Sequence, residues 1–269
     1  MSQIIQAISN VNQLDDLSRK KSIVHDLHPL SKFSVTIIFL VTVISFDKYN
    51  ITGLIPFIFY PLIMLLAADI PVSVILKKVV IVEPLIIGIG ILNPLILKDT
   101  INIFGLSFSI GWVIFFSILI KCSLTVAAGF TYLVTTGMDR IALTMRMLRV
   151  PKIFVLQIIL TYRYISILSD EVARITKAYN LRSINKKGIK RIVWGSLVGQ
   201  LILRTLNRAD RIYNAMCLRH FSGEYHTGYI KHLALKDVLF IIICSTIIIT
   251  ARIFNFSVLI GNIVFGGRF

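Results

Sequence analysis

The amino-acid sequence predicts an all-α integral membrane protein with about five transmembrane helices and a large cytoplasmic helical region between the fourth and fifth. Apolar residues fill 56% of the 269 positions and charged residues only 16%, against about 45–50% and about 25% in soluble domains. The surplus is gathered into long runs: Phe33 to Phe46, Ile51 to Ala68, Val79 to Leu97, Ile110 to Val134 and Val238 to Ile249. The net charge of +16 is unevenly placed, since 18 of the 29 basic residues lie between Met138 and Lys236 beside only five acidic ones. A single soluble core cannot absorb so much apolar sequence. The three cysteines (Cys122, Cys217 and Cys244) are odd in number and mostly in apolar context, so they read as small hydrophobes and not as a disulfide framework.

The elements follow in order. Residues 1–28 form a polar, basic N-terminal segment containing Arg19, Lys20 and Lys21. A cleavable signal peptide would reach its apolar stretch sooner, so the run from Pro29 to Phe46 is expected to remain as the first span. Its length falls within the ~17–25 residues a bilayer needs. Residues 29–134 then hold four membrane helices. Asp47-Lys48 cancel, Lys77-Lys78 stand alone, Lys98-Asp99 cancel, and the next connection opens the basic block. Placing the N-terminus in the cytoplasm puts each net-basic connection inside.

Residues 135–236 are expected to form cytoplasmic helices, and residues 237–269 the final span and tail. Lys152 to Leu168 and Ile192 to Leu203 are apolar-rich. If both crossed the bilayer, a segment with seven basic residues would lie outside, against the positive-inside tendency. The candidate partners of this basic region are an acidic protein surface, anionic lipid headgroups or nucleic acid. No segment resembles a nucleic-acid-binding module, so nucleic acid is not expected as a partner.

The basic region contains an internal repeat. Arg174-Ile175-Thr176-Lys177-Ala178-Tyr179-Asn180-Leu181-Arg182-Ser183 aligns without a gap to Arg211-Ile212-Tyr213-Asn214-Ala215-Met216-Cys217-Leu218-Arg219-His220. On a helix, Ile175, Ala178 and Arg182 share one face, as do Ile212, Ala215 and Arg219. Each copy offers an aliphatic anchor, a small residue and an arginine near a helix C-terminus. Such an arginine suits docking against carboxylates or carbonyls; the alternative is a pair of solvated amphipathic helices whose spacing coincides.

These residues carry a resemblance to the transmembrane component of energy-coupling factor transporters, and within it to the cobalt-type CbiQ branch. That family has two Ala-Arg-Gly-type motifs at helix ends, matched here by Leu181-Arg182-Ser183 and Leu218-Arg219-His220. The arginine stands in both, while the alanine and glycine are replaced. Thr135-Thr136, Leu148-Arg149-Val150-Pro151 and Leu160-Thr161-Tyr162-Arg163-Tyr164 are similar to the family's central run, with Arg149 in place of glycine; Pro29 and Lys32 match an N-terminal element. The resemblance implies a non-catalytic coupling subunit in a prokaryotic plasma membrane, taking up cobalt or nickel. Its partners would be two ATP-binding cassette ATPase subunits, a substrate-binding membrane subunit and membrane lipids. Arg182 and Arg219 would contact the ATPases, with Ile175, Ala178, Leu181, Ser183, Ile212, Ala215, Leu218 and His220 in support.

The chain has no phosphate-cradling P-loop and no H-E-x-x-H, and no cofactor or metal site is expected in it. Its five histidines all lie outside the expected spans. Lys121, near the middle of the fourth span, is costly if unpaired. It is expected to make a structural hydrogen bond, with Asn93 an available acceptor, or to snorkel outward. An ion path through it would make the chain a secondary transporter instead; an integral membrane enzyme is the other alternative.

Overall fold

The computed structural model describes residues 17–18, 20, 22–49, 51–96, 100–103, 106–182, 191–221, 223 and 233–254. The elements are α1 (Ile23–Asp26), α2 (Pro29–Ile44), a 3-10 helix (Thr52–Ile58) running into α3 (Phe59–Ala67), α4 (Val72–Gly90) and α5 (Leu92–Ile96). A hairpin of β1 (Thr100–Ile103) and β2 (Leu106–Ser109) follows, then α6 (Ile110–Thr136), α7 (Met138–Met147), α8 (Lys152–Arg182), α9 (Arg191–Leu218) and α10 (Leu235–Ile253). The helical class expected from the sequence is what is found, with the antiparallel hairpin added, pairing Thr100 with Ser109 and Ile103 with Leu106. The described residues fall into two compact units. One runs from Leu17 to Gly137 and includes α10; the other contains α7, α8 and α9.

In the first unit α2 is the central helix, packed between α6 and α10. Its buried positions Lys32, Val35, Thr36, Phe39 and Val43 recur at helical spacing. Phe39 stacks on Tyr60 at 4.5 Å between ring centroids, and Phe46 meets Phe57 edge-on at 5.2 Å. Leu54, Leu124, Ala128 and Ile248 close this core. Pro56 lies within the 3-10 stretch; with no N–H to donate, it disfavours a regular α-helical start there.

The outward faces of this unit are equally apolar. Val41, Ile44, Ile63, Leu66, Ile81, Leu85, Ile89, Leu239 and Ile242 are all exposed. So large an exposed apolar area is foreign to a soluble monomer and suits a surface solvated by lipid. Two helices, α6 and α8, are long and apolar enough to cross a membrane by length and composition. In α4 the charges Lys77, Lys78 and Glu83 interrupt the apolar sequence, as Lys236, Asp237 and Arg252 do in α10. The Lys77-Lys78 pair, expected as a connection, lies inside α4, which starts after Pro71. The expected third span is also broken: α4 ends at Gly90 and α5 follows Ile91.

Where α5 meets α6 the backbones approach closely. A Cβ on Gly111 would lie 2.4 Å from Pro94 Cα, a contact no side-chain adjustment relieves. Gly129, on the same helix, has open space beside it. Gly111→Ala is therefore expected to lower stability by about 1–3 kcal/mol through overpacking, while Gly129→Ala is neutral or stabilising. Thermal unfolding of the purified variants in detergent checks the pair; equal midpoints would contradict the close approach.

Candidate functional site

The second unit is a helical assembly. Ala142 of α7 and Val155 and Ile159 of α8 form its apolar cluster, with Met145 and Val150 against them. α9 packs along α8, and Glu171 of α8 ties the two helices. Its carboxylate accepts from Arg204 of α9 and pairs with Arg174 at 3.1 Å. The Arg204 hydrogen bond holds Glu171 below the usual carboxylate range. Arg204, Arg174 and Arg208 all favour its ionised form. A carboxylate with a lowered pKa contributes above its unfolded value, and the contribution is lost as pH falls through the folded value.

Both copies of the repeat lie toward the C-terminal side of a long helix. Arg182 is the last residue of α8, and Arg219 follows Leu218, the last residue of α9. Ile175 and Ile212 are half-buried, whereas Ala178, Leu181, Arg182, Ala215, Leu218 and Arg219 are exposed. Leu181 retains 76% of its surface and Leu218 84%. Each copy thus half-buries its aliphatic anchor and leaves its alanine, leucine and arginine uncovered. Ser183, together with Gly188 and Ser222, lies outside the described residues.

The second tip has a defined cap. His220 sits in the left-handed region at φ +56°, with its N–H donated to Cys217 and that of Phe221 donated to Met216. This six-to-one closure is the one a C-terminal glycine ordinarily makes. The same cap ends α7. Arg149 is at φ +62°, and the Val150 N–H reaches the Met145 carbonyl at 3.1 Å. The left-handed cap geometry that glycine favours is therefore adopted at both positions by residues that bear a Cβ. Since the left-handed conformation costs roughly 1–2 kcal/mol for a residue with a Cβ, His220→Gly and Arg149→Gly are each expected to stabilise the protein by about 1 kcal/mol. A rise in thermal midpoint checks this, and a fall would contradict the caps.

Other singled-out residues have structural occupations. Lys121 reaches neither Asn93 nor Glu83. Its ammonium donates to the carbonyls of Phe46 (2.6 Å) and Asp47 (3.3 Å), just past the end of α2. Asn93 instead donates to the Gly90 carbonyl, and Glu83 accepts from Ser123. Arg252 donates to the Ser45 carbonyl at 2.9 Å and lies over the Phe46 ring. The three cysteines are free; Cys217 is exposed, outside the apolar context expected of it.

Two polar contacts were missed by sequence reasoning. Lys32, 1% exposed, donates to the Thr135 carbonyl at 2.9 Å. Asp237, 5% exposed, accepts from the backbone N–H of His28 at 2.7 Å and of Ala234 at 2.9 Å. The sequence offered one signal, that Lys32 and Thr135 both sit in motif-like segments; their pairing across 103 positions was not legible.

An apolar-faced helical bundle fastened by polar ties, in one chain with long helices ending in matched cationic tips, defines an integral helical membrane protein. The chain belongs to the CbiQ family: that family's model, described as cobalt transport protein, matches residues 20–230. This membership makes it a membrane component of the cobalt-transport family. The chain is also similar to the uncharacterized protein MJ1571 of Methanocaldococcus jannaschii, with 26% identity over 271 residues, covering 96% of this chain and 90% of that protein.

Proposed function

We propose that the protein is the transmembrane coupling subunit of an energy-coupling-factor-type importer in a prokaryotic plasma membrane. It carries ATP-driven motion from two ATPase subunits to a separate substrate-binding membrane subunit, with cobalt or nickel as cargo. The five spans would be α2, the Thr52–Ala67 segment, α4, α6 and α10. The N-terminus and the α7–α9 unit would face the cytoplasm. As a helix, 16 residues of α2 reach only about 24 Å, so flanking residues complete its crossing.

The observation that carries the proposal is the repeat itself. Two long helices carry the same uncovered Leu-Arg pair behind a half-buried isoleucine. An exposed leucine beside a cation has little reason to recur on a solvated face, whereas it fits a groove that is apolar within and acidic or carbonyl-rich at its rim. Two tips match two ATPase subunits. Positive charge concentrated in this region favours its cytoplasmic placement. The secondary-transporter alternative loses its best residue, because Lys121 is engaged by backbone carbonyls.

Arg182→Glu or Arg219→Glu is expected to leave the protein inserted and to weaken ATPase capture. Losing one member of a desolvated, hydrogen-bonded charge pair costs about 2–5 kcal/mol, and reversal adds repulsion. An arginine on a solvated face would lose only about 0–1 kcal/mol. Co-purification of the ATPases at matched expression reads the difference, with the double variant losing uptake altogether. Full capture and uptake in both single variants and the double would overturn the docking role. With Cys122, Cys217 and Cys244 replaced by serine, Ala178→Cys and Ala215→Cys test the topology independently: both are expected to react with a membrane-impermeant maleimide only after the cells are opened. Reaction of either in intact cells would overturn the five-span arrangement.

A further inference from the structure

The chain passes from the membrane bundle into the α7–α9 unit after Gly137 and returns ahead of α10. These are two of the places where the chain joins the two units, and displacement of the α7–α9 unit pulls on the bundle through them. On the bundle side, the first crossing is the end of α6 and the second is the start of α10. Both are fastened to the same turn.

Lys32 and His28, four positions apart at the start of α2, make the two ties. The Lys32 ammonium sits on the Thr135 carbonyl in the last turn of α6. That end of a helix carries orphan carbonyls and the negative pole of its dipole, so a buried cation is favourable there. It is unfavourable near the N-terminus of α2, its own helix, and the α6 contact offsets that cost. The His28 N–H, at the cap of α2, donates to Asp237 in the first turn of α10. The same carboxylate closes the α10 cap through Ala234, so one charge serves two helix N-termini. Gly137, at φ +75°, is the single residue between the end of α6 and Met138 at the start of α7; little slack remains at the first crossing.

We infer that the first turn of α2 is the anchor for both crossings, and that Lys32 and Asp237 are positioning residues converting displacement of the α7–α9 unit into movement of the bundle. The inference rests on the proposed coupling function. Neither residue touches nucleotide or cargo. Their effect is read in the uptake obtained per ATP hydrolysed, a ratio that a purely structural tie leaves unchanged because lost protein lowers both quantities together.

The test uses the full complex of this chain, its ATPase pair and its substrate subunit in proteoliposomes, with Co²⁺ uptake and ATP hydrolysis measured on the same vesicles. Lys32→Met and Asp237→Asn are expected to keep ATPase capture and hydrolysis while Co²⁺ taken up per ATP falls about tenfold, within the range of site-to-site couplings. Lys121→Met removes a tie at the other end of α2; it is expected to lower the thermal midpoint with the ratio unchanged. Should Lys32→Met or Asp237→Asn fail to assemble, inserting two glycines after Gly137 adds slack to the first crossing with every buried group in place, and the same fall is expected. An unchanged ratio in the assembled variants, or with the insertion, overturns the anchor while leaving the docking role standing. If the wild-type chain captures no ATPase, the coupling function fails and the anchor falls with it.

Discussion

The ammonium of Lys32 on the carbonyl end of α6 expresses a constraint that governs the whole bundle. Its inward and outward faces are both apolar, and in a bilayer the lipid competes with protein for every leucine. Hydrophobic burial therefore does little to choose one helix arrangement over another. Polar groups choose instead, because an unsatisfied one in hydrocarbon is expensive. Lys32 and Asp237 fasten the start of α2 to α6 and α10; Lys121 and Arg252 fasten its end to the same two helices. The central helix is held at both ends by charges that reach backbone groups, and the aromatic packing of Phe39, Phe46, Phe57 and Tyr60 fills the space between.

The second unit is organised differently. Its helices bury a small apolar cluster and meet through Glu171 and its arginines, and their far ends carry uncovered leucines. The repeated segments share one pattern: a half-buried isoleucine sits on each helix, followed by an exposed alanine and then an exposed leucine and arginine. His220 holds the backbone of the second tip in a left-handed cap despite its side chain. The cap geometry thus depends on the hydrogen bonds of the closing turn, with glycine easing it but not required.

The helical class, the end of α9 and the placement of Arg219 at its C-terminus were legible in the sequence, because each is encoded locally by composition, period or repeat. The partners of Lys121, Arg252 and Lys32 were not. Each donates to a backbone carbonyl, and a carbonyl acceptor has no residue identity for sequence to reveal. Asn93 was the visible acceptor for Lys121, and the invisible one at Phe46 won. The Lys77-Lys78 pair was misplaced for a related reason: two adjacent charges read as a connection, whereas in the first turns of α4 they project from a helix that continues through them. Charge located individual boundaries poorly.

The proposed coupling depends on the two tips meeting ATPases. Site-specific photocrosslinking tests it most directly, with a photoreactive residue at Leu181, at Leu218 and, for comparison, at the exposed Leu66 of α3. The account predicts an adduct between this chain and an ATPase subunit from each tip position and none from Leu66. Absence of the adduct from both tips in the assembled complex, or an equal yield from Leu66, would contradict it.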